Sequence, residues 1–241
     1  MLRLCYVVGI SLPFILYYVG KAHFIEKHEG HFPEERRYRM VRRCIRIAMR
    51  HGRIKTVSTG QENLPREGGY VMYSNHQGKF DTLGIMISHP NPCTIVMDDT
   101  RSRLPIVDAF IELVKGQRLD KTDMKSQVKT ILQIVEEVKK GRRYIVFPEG
   151  GYEHNKNDLQ EFHPGAFQCA TKASAPIVPV AIIDCYKPFG MNSLRKVTTQ
   201  VHFLPPVYYE EYKDMTTAQI AELVKGRIAG ETRARLSRRA A

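Results

Sequence analysis

Hydrophobic and polar positions change their pattern twice along the chain. The first stretch, Leu4 to Gly20, is a run of 17 residues without a charge, flanked by Arg3 and Lys21. At ~1.5 Å per residue a helix of that length reaches about 25 Å, short of the roughly 30 Å hydrocarbon core of a bilayer. Gly9, Ser11 and Pro13 weaken or kink it. Tyr18 to Lys21 hold no A-x-A-like cleavage site. The run is therefore expected to be an uncleaved anchor, either a marginal span or a kinked helix dipping into one leaflet. From Pro33 the pattern becomes amphipathic. Pro33 with Glu34 and Glu35 opens a helix. Arg36, Arg39, Arg43, Arg46, Arg50 and Arg53 recur at spacings of three and four and form one stripe. Val41, Cys44, Ile45 and Ala48 form the opposite face. Behind a hydrophobic run, this predicts an interfacial helix on anionic lipid; the alternative is a surface helix docked on its own domain.

From Thr56 short apolar runs alternate with helical periodicity. Tyr70–Ser74, Thr94–Met97, Tyr144–Phe147, Ile177–Ile183 and Val197–Leu204 read as strands. Ser102–Val114, capped by Ser102, reads as a helix, as do Asp123–Lys140, Gly165–Ser174 and Thr216–Ile228. In Asp123–Lys140 the apolar side is Val128, Ile131, Leu132, Val135 and Val138, and Gly141 ends it. The alternation predicts an α/β fold: a mixed, mostly parallel sheet covered by helices on both faces, with an N-terminal membrane-associating helical segment.

Charge sharpens this division. The 241 residues carry a formal net charge of +12. Lys21 to Lys55 holds +7 of it and Lys225 to the end +5, while Thr56 to Val224 sums to −1. A neutral middle argues against a nucleic-acid-binding core, and no nucleic-acid partner is expected. The basic residues follow the apolar run, so the remaining chain is expected at the cytoplasmic face of the cell membrane. The C-terminal cations, Arg233, Arg235, Arg238 and Arg239, read as a second membrane contact or a flexible tail. The five cysteines are scattered without a C-x-x-C pair, which fits reduced thiols and no zinc site. His23, His28 and His31 read as solvated, and no metal site is expected.

Two loops carry candidate chemistry. NHQGKFD, Asn75 to Asp81, follows the strand at Tyr70 and contains His76 and Asp81 in a His-x4-Asp pattern. FPEG, Phe147 to Gly150, follows the strand at Tyr144 and puts the Glu149 carboxylate at a strand's carboxyl end, where open α/β sheets bind ligands. Gly150 and Gly151 let backbone approach a ligand closely. The G-x-S-x-G elbow of serine hydrolases is absent.

NHQGKFD, then a basic residue after a short strand, Arg118 in GQRLDK, then FPEG, then PIVPVAI from Pro176 to Ile182, occur in an order that resembles the glycerolipid acyltransferase family. Within it, the bacterial 1-acyl-sn-glycerol-3-phosphate acyltransferases are the nearest in pattern. The resemblance covers roughly Gly60 to Pro206. With the patterns above, the chain divides into residues 1–55, a hydrophobic anchor plus basic amphipathic helix, and 56–241, an acyltransferase domain with a basic C-terminal tail; a membrane-associating helical N-terminus is common in the family. The resemblance implies His76 as catalytic base and Asp81 as the carboxylate orienting it. It further implies Arg118 as the holder of an acceptor phosphate, and Glu149 and Gly150 as acceptor-binding. The chain departs from the family at Gly78, where serine is usual, and at Gly151 and Tyr152, where FPEGTR or FPEGTS is usual. Lys79 is a candidate replacement charge. The implied reaction acylates the sn-2 hydroxyl of lysophosphatidic acid at a membrane lipid surface. No cofactor is expected beyond acyl-CoA or acyl carrier protein as donor. Alternatives are another lysolipid or lyso-amino-acid lipid as acceptor, or a membrane-tethered inactive binding module.

Overall fold

The computed structural model describes residues 2–153 and 155–240, the side chains of Glu29, Arg239 and Ala240 excepted. Two apolar helices come first, α1 (Leu2–Ile10) and α2 (Leu12–Lys27), bent by 72° at Ser11. Pro13 accounts for the break. It sits in the first turn of α2, where its missing N–H costs nothing, but a helix cannot run on through it unbroken. The Ser11 hydroxyl pins the elbow to His51 Nδ1 at 2.7 Å. Among the described residues no single helix is long and apolar enough to cross a membrane; the bent pair together has the length and composition.

Helix α3 (Glu34–His51) carries Glu34 and Glu35 in its first turn and Arg50 and His51 in its last, matching the helix dipole. Its arginine stripe is exposed from Arg36 to Arg50. Its apolar face is not offered to lipid. Tyr38, Val41 and Ile45 are buried in one cluster with Met72, Ile85 and Ile111, and the Tyr38 hydroxyl donates to Met86 O at 2.9 Å. The expected interfacial helix is thus a docked one, with its arginine stripe turned outward. A sheet face must be covered, and α3 supplies an apolar stripe that does it.

The remaining elements are β1 (Ile54–Thr59), β2 (Tyr70–Ser74), α4 (Asp81–Ser88), β3 (Thr94–Asp98), α5 (Asp99–Ser102), α6 (Pro105–Val114), β4 (Gln117–Leu119), α7 (Met124–Lys139), β5 (Arg143–Val146), α8 (Gln168–Ala173), β6 (Ile177–Ile183), α9 (Lys187–Gly190), β7 (Val197–Phe203), α10 (Tyr209–Tyr212) and α11 (Thr217–Ala240). The sheet has seven strands in the order β1-β7-β6-β2-β5-β3-β4. β6, β2, β5, β3 and β4 run parallel; β7 is antiparallel to β6, and β1 is parallel to β7. The mixed, mostly parallel sheet and its two helical layers match the sequence expectation. Tyr70 and Met72 of β2 face a core completed by α1–α4 and α6. Val71 and Tyr73 face the other core, completed by α7, α8 and α11. The first 55 residues therefore share a core with the sheet.

Four details differ from the sequence reading. The helix expected over Ser102–Val114 is two pieces. Pro105 excludes Leu104 from helical backbone, so α5 ends at Ser102 and α6 begins at Pro105. The start of α5 is capped by Asp98, whose Oδ1 accepts from Arg101 N at 3.1 Å. In α7 the buried side is Thr130, Ile134, Val135 and Val138, while Val128 and Leu132 are half exposed. The basic C-terminal segment is not a flexible tail: α11 continues to Ala240, and Arg235 pairs with Glu231 at 2.7 Å and reaches Thr59 Oγ1 at 3.4 Å.

Candidate active site

β2 and β5 are parallel neighbours, with Tyr73 opposite Val146. The loops leaving their carboxyl ends therefore lie side by side. His76 and Asp81 come from the first, Glu149 and Gly150 from the second. On the other flank of β2, strand β6 fixes the first loop. Asn75 exchanges two hydrogen bonds with the Ile182 backbone, and Gln77 bonds Ile182 O and Cys185 N. PIVPVAI thus acts as the rigid wall to which NHQ is bolted.

The His76 Nδ1–Asp81 Oδ2 distance is 2.7 Å. Asp81 is completely buried at the start of α4, where the helix dipole favours a carboxylate. Its Oδ2 also accepts the Gln77 N–H at 2.5 Å and the Gly78 N–H at 2.8 Å. A carboxylate can only accept, so Nδ1 carries a proton, and in the neutral ring the lone pair lies on Nε2. The imidazole is clamped between a parallel Phe147 ring, centroids 4.2 Å apart, and the Tyr152 edge at 4.6 Å. His76 remains 17% exposed, enough for a substrate hydroxyl to reach it.

Glu149, on the second loop, is buried. Burial is the main reason its carboxyl is pushed up to about 7. The His76 and Gln160 N–H groups and the Gln160 side chain counter part of that rise, and the Asp81 charge adds to it. Gly150 has φ +70°, and a Cβ there would lie 3.2 Å from the His163 ring, so both the backbone and the space favour glycine. Lys79 is exposed on the first loop.

Arg118 is placed differently from its neighbours in the motif set. It lies within β4, opposite Met97, three strand spacings or about 14 Å from β2. Its guanidinium is taken up by α6, at 2.7 Å from Asp108 and 2.6 Å from Glu112, with Ser102 Oγ at 3.1 Å. In this structure Arg118 braces α6 against the sheet, and holding a phosphate would require releasing both carboxylates. The basic residue that reaches the FPEG loop is Lys121, whose Nζ donates to Gly150 O and lies 3.8 Å from Asp98. Sequence reasoning missed it. The usable signal was position: Lys121 follows the strand's carboxyl end, whereas Arg118 lies inside the strand. Also missed was Arg101, whose guanidinium sits 5.7 Å over the Tyr152 ring. It brings a cation to the place where Tyr152 departs from the family pattern. Asn155 and Asn157 are a third omission. Asn155 donates to His76 O at 3.1 Å, and Asn157 links Gln77 to Asp184, drawing the segment after FPEG over the first loop. Among the described residues no cluster of His, Cys, Asp or Glu could hold a metal ion.

The fold and the site together are those of an α/β protein with a histidine held by a buried carboxylate at the carboxyl end of a central parallel strand, an arrangement suited to general-base chemistry. The chain belongs to the acyltransferase family, whose sequence pattern matches residues 55–183. A 1-acyl-sn-glycerol-3-phosphate acyltransferase of Borreliella burgdorferi is 22% identical over 191 residues, spanning 78% of this chain and 76% of that protein. The alpha form from Ovis aries is 30% identical over 181 residues, spanning 71% of this chain and 61% of that protein. The crystal structure of a 1-acyl-sn-glycerophosphate acyltransferase from Thermotoga maritima superposes with a TM-score of 0.78 at 19% identity, covering 97% and 94% of the two chains. That likeness extends the shared fold through the N-terminal helices.

Proposed function

We propose that this enzyme transfers a fatty acyl group from a thioester to the sn-2 hydroxyl of 1-acyl-glycerol-3-phosphate, forming phosphatidic acid. The observation that carries the reading is the His76–Asp81 pair, its imidazole held through Nδ1 and still partly exposed. Nε2 takes the proton of the acceptor hydroxyl as its oxygen attacks the thioester carbonyl. Asp81 holds the tautomer and stabilises the imidazolium. Collapse of the tetrahedral intermediate breaks the C–S bond, and the imidazolium returns the proton to the leaving thiolate. A thioester is already activated, so no enzyme nucleophile is needed. The Gln77 and Gly78 N–H groups are committed to Asp81, and that of Gly150 bonds Phe147 O. Gly151 is the remaining glycine N–H in the two loops for the oxyanion.

The donor is a fatty acyl thioester of coenzyme A or of acyl carrier protein. Lys121 and Arg101 are the cations beside the Glu149 loop suited to an acceptor phosphate. The reaction takes place at a membrane, with the exposed apolar residues Tyr6, Ile10, Phe14, Leu16 and Tyr17 of α1 and α2 seated in one leaflet. The cations that follow them put the domain on the cytoplasmic side. A second acceptor, another lysolipid or a lyso-amino-acid lipid, is favoured by Tyr152, which supplies no charge of its own.

The test presents the purified chain with labelled acyl-CoA or acyl carrier protein and a panel of lysolipids. Preferential diacylation of 1-acyl-glycerol-3-phosphate is expected. Preference for a lysolipid without a phosphomonoester would transfer the assignment to the second acceptor.

A further inference from the structure

A charged cavity lies outside the acyl-transfer machinery. It has a volume of about 440 Å³ and opens where α1 meets the segment between β6 and β7. Arg3, Lys187, Arg195 and Lys196 line it, with Asp184 the acidic residue on its wall. Arg3 is 2% exposed. Its terminal nitrogens bind the carbonyls of Lys187, Pro188 and Arg195, and its buried Nε has no hydrogen-bond partner among the described residues. Burial, and then the nearby Arg53 charge, lower its pKa. Lys187 is matched by Asp184 at 2.9 Å. Arg195 and Lys196 are exposed and pair with no carboxylate among the described residues. Four cations facing one carboxylate repel one another, and the arrangement is favourable when an anion occupies the middle.

The rim points to what kind of anion. Leu2, Met191 and Leu194 beside the cavity are exposed by 52%, 45% and 37%, and Leu2 N donates to Asn192 Oδ1, fixing α1 against this segment. Leu2 belongs to the same helix as the exposed Tyr6 and Ile10. An apolar rim around a cationic interior, on a helix that turns apolar residues outward, matches a lipid with a charged headgroup. We propose that this cavity binds the phosphate of an anionic membrane phospholipid, with the lipid chains along Leu2, Met191 and Leu194. The site lies at the catalytic end of the sheet, because β7 begins there at Val197, antiparallel to β6. Its wall residue Asp184 accepts from Asn157, Asn157 accepts from Gln77, and the Gln77 N–H donates to Asp81. A bound headgroup would thus orient the catalytic loop over the bilayer as well as tether the chain.

The inference concerns binding and stands apart from the identity of the acyl acceptor. The test compares three full-length proteins for co-sedimentation with vesicles of phosphatidylcholine, alone or with one-fifth phosphatidylglycerol, at physiological salt. They are the wild type, Arg195→Gln with Lys196→Gln, and a control with the same charge loss at the other end of the sheet, Lys139→Gln with Lys140→Gln. The first pair should lower affinity for the anionic vesicles at least ~10-fold, and the control pair less than ~2-fold. Equal losses in both would reduce the effect to net charge and overturn the proposal, as would wild-type binding that ignores phosphatidylglycerol. A parallel titration with inorganic phosphate separates a lipid headgroup from free phosphate. Saturable phosphate binding lost in the Arg195/Lys196 variant, with vesicle affinity unchanged, would refute the lipid assignment.

Discussion

Glu149→Gln should stabilise the protein at alkaline pH and leave it unchanged near pH 4.5. The wild-type carboxyl titrates at about 7 in the fold against an ordinary 4.5, chiefly through burial. Below 4.5 both folded and unfolded chains hold the proton, and Glu149 is neutral in its effect. Between 4.5 and 7 the native state binds more protons than the unfolded state, so stability falls as pH rises. Above 7 the penalty is complete. Taken at face value the shift corresponds to about 3 kcal/mol, and solvent contact at the open site reduces this to about 2 kcal/mol. Glutamine mimics the protonated carboxyl and can still accept the Gln160 side-chain bond, now 3.1 Å long, so it escapes the penalty. For a chain of this size about 2 kcal/mol corresponds to a Tm gain of roughly 4–8 °C. Thermal melts of the detergent-solubilised wild type and variant near pH 4.5 and pH 8 provide the check. A difference that does not change with pH, or a variant less stable at pH 8, would refute the reasoning.

Three further outcomes follow from the geometry. Arg118→Ala, which breaks two ion pairs with α6, should cost about 1–2 kcal/mol of stability while leaving the KM for lysophosphatidic acid within about twofold. Lys121→Ala should do the reverse, raising that KM about tenfold with little change in Tm; melts and initial rates distinguish the two. Phe14→Glu with Leu16→Glu should move the folded chain from the membrane pellet to the soluble fraction, because both side chains are exposed. Deleting residues 1–53 should instead give insoluble protein, since Val41 and Ile45 fill the same core as Met72.

The sequence was most informative where burial is complete. β2 and β6 are buried at every residue, and their continuous runs made them visible with the same ends the structure shows, Tyr70–Ser74 and Ile177–Ile183. The sequence pattern places the end of the short edge strand β4 before Arg118, whereas Arg118 lies within it. Its three residues are Gln117, Arg118 and Leu119, all half buried, a pattern that resembles a loop. The strand in fact ends at Leu119, so Lys121 and not Arg118 follows its carboxyl end. The His76–Asp81 pair was legible because both residues lie on one short loop. The contacts of Asn155 and Asn157 were not, because they depend on a chain segment folding back across two strands. Helix α3 shows the same limit from another side. Its amphipathic pattern fixed which face is apolar, but not whether lipid or protein would cover that face.

The central claim is that His76, held by Asp81, is the base for acyl transfer. The most direct measurement is the single-turnover rate of label transfer from acyl-CoA to 1-acyl-glycerol-3-phosphate in vesicles, for wild type and His76→Ala at matched folded fraction. A rate constant lowered by at least ~10²-fold is expected, with the melting temperature preserved. Wild-type-like transfer by the folded His76→Ala variant would contradict the mechanism.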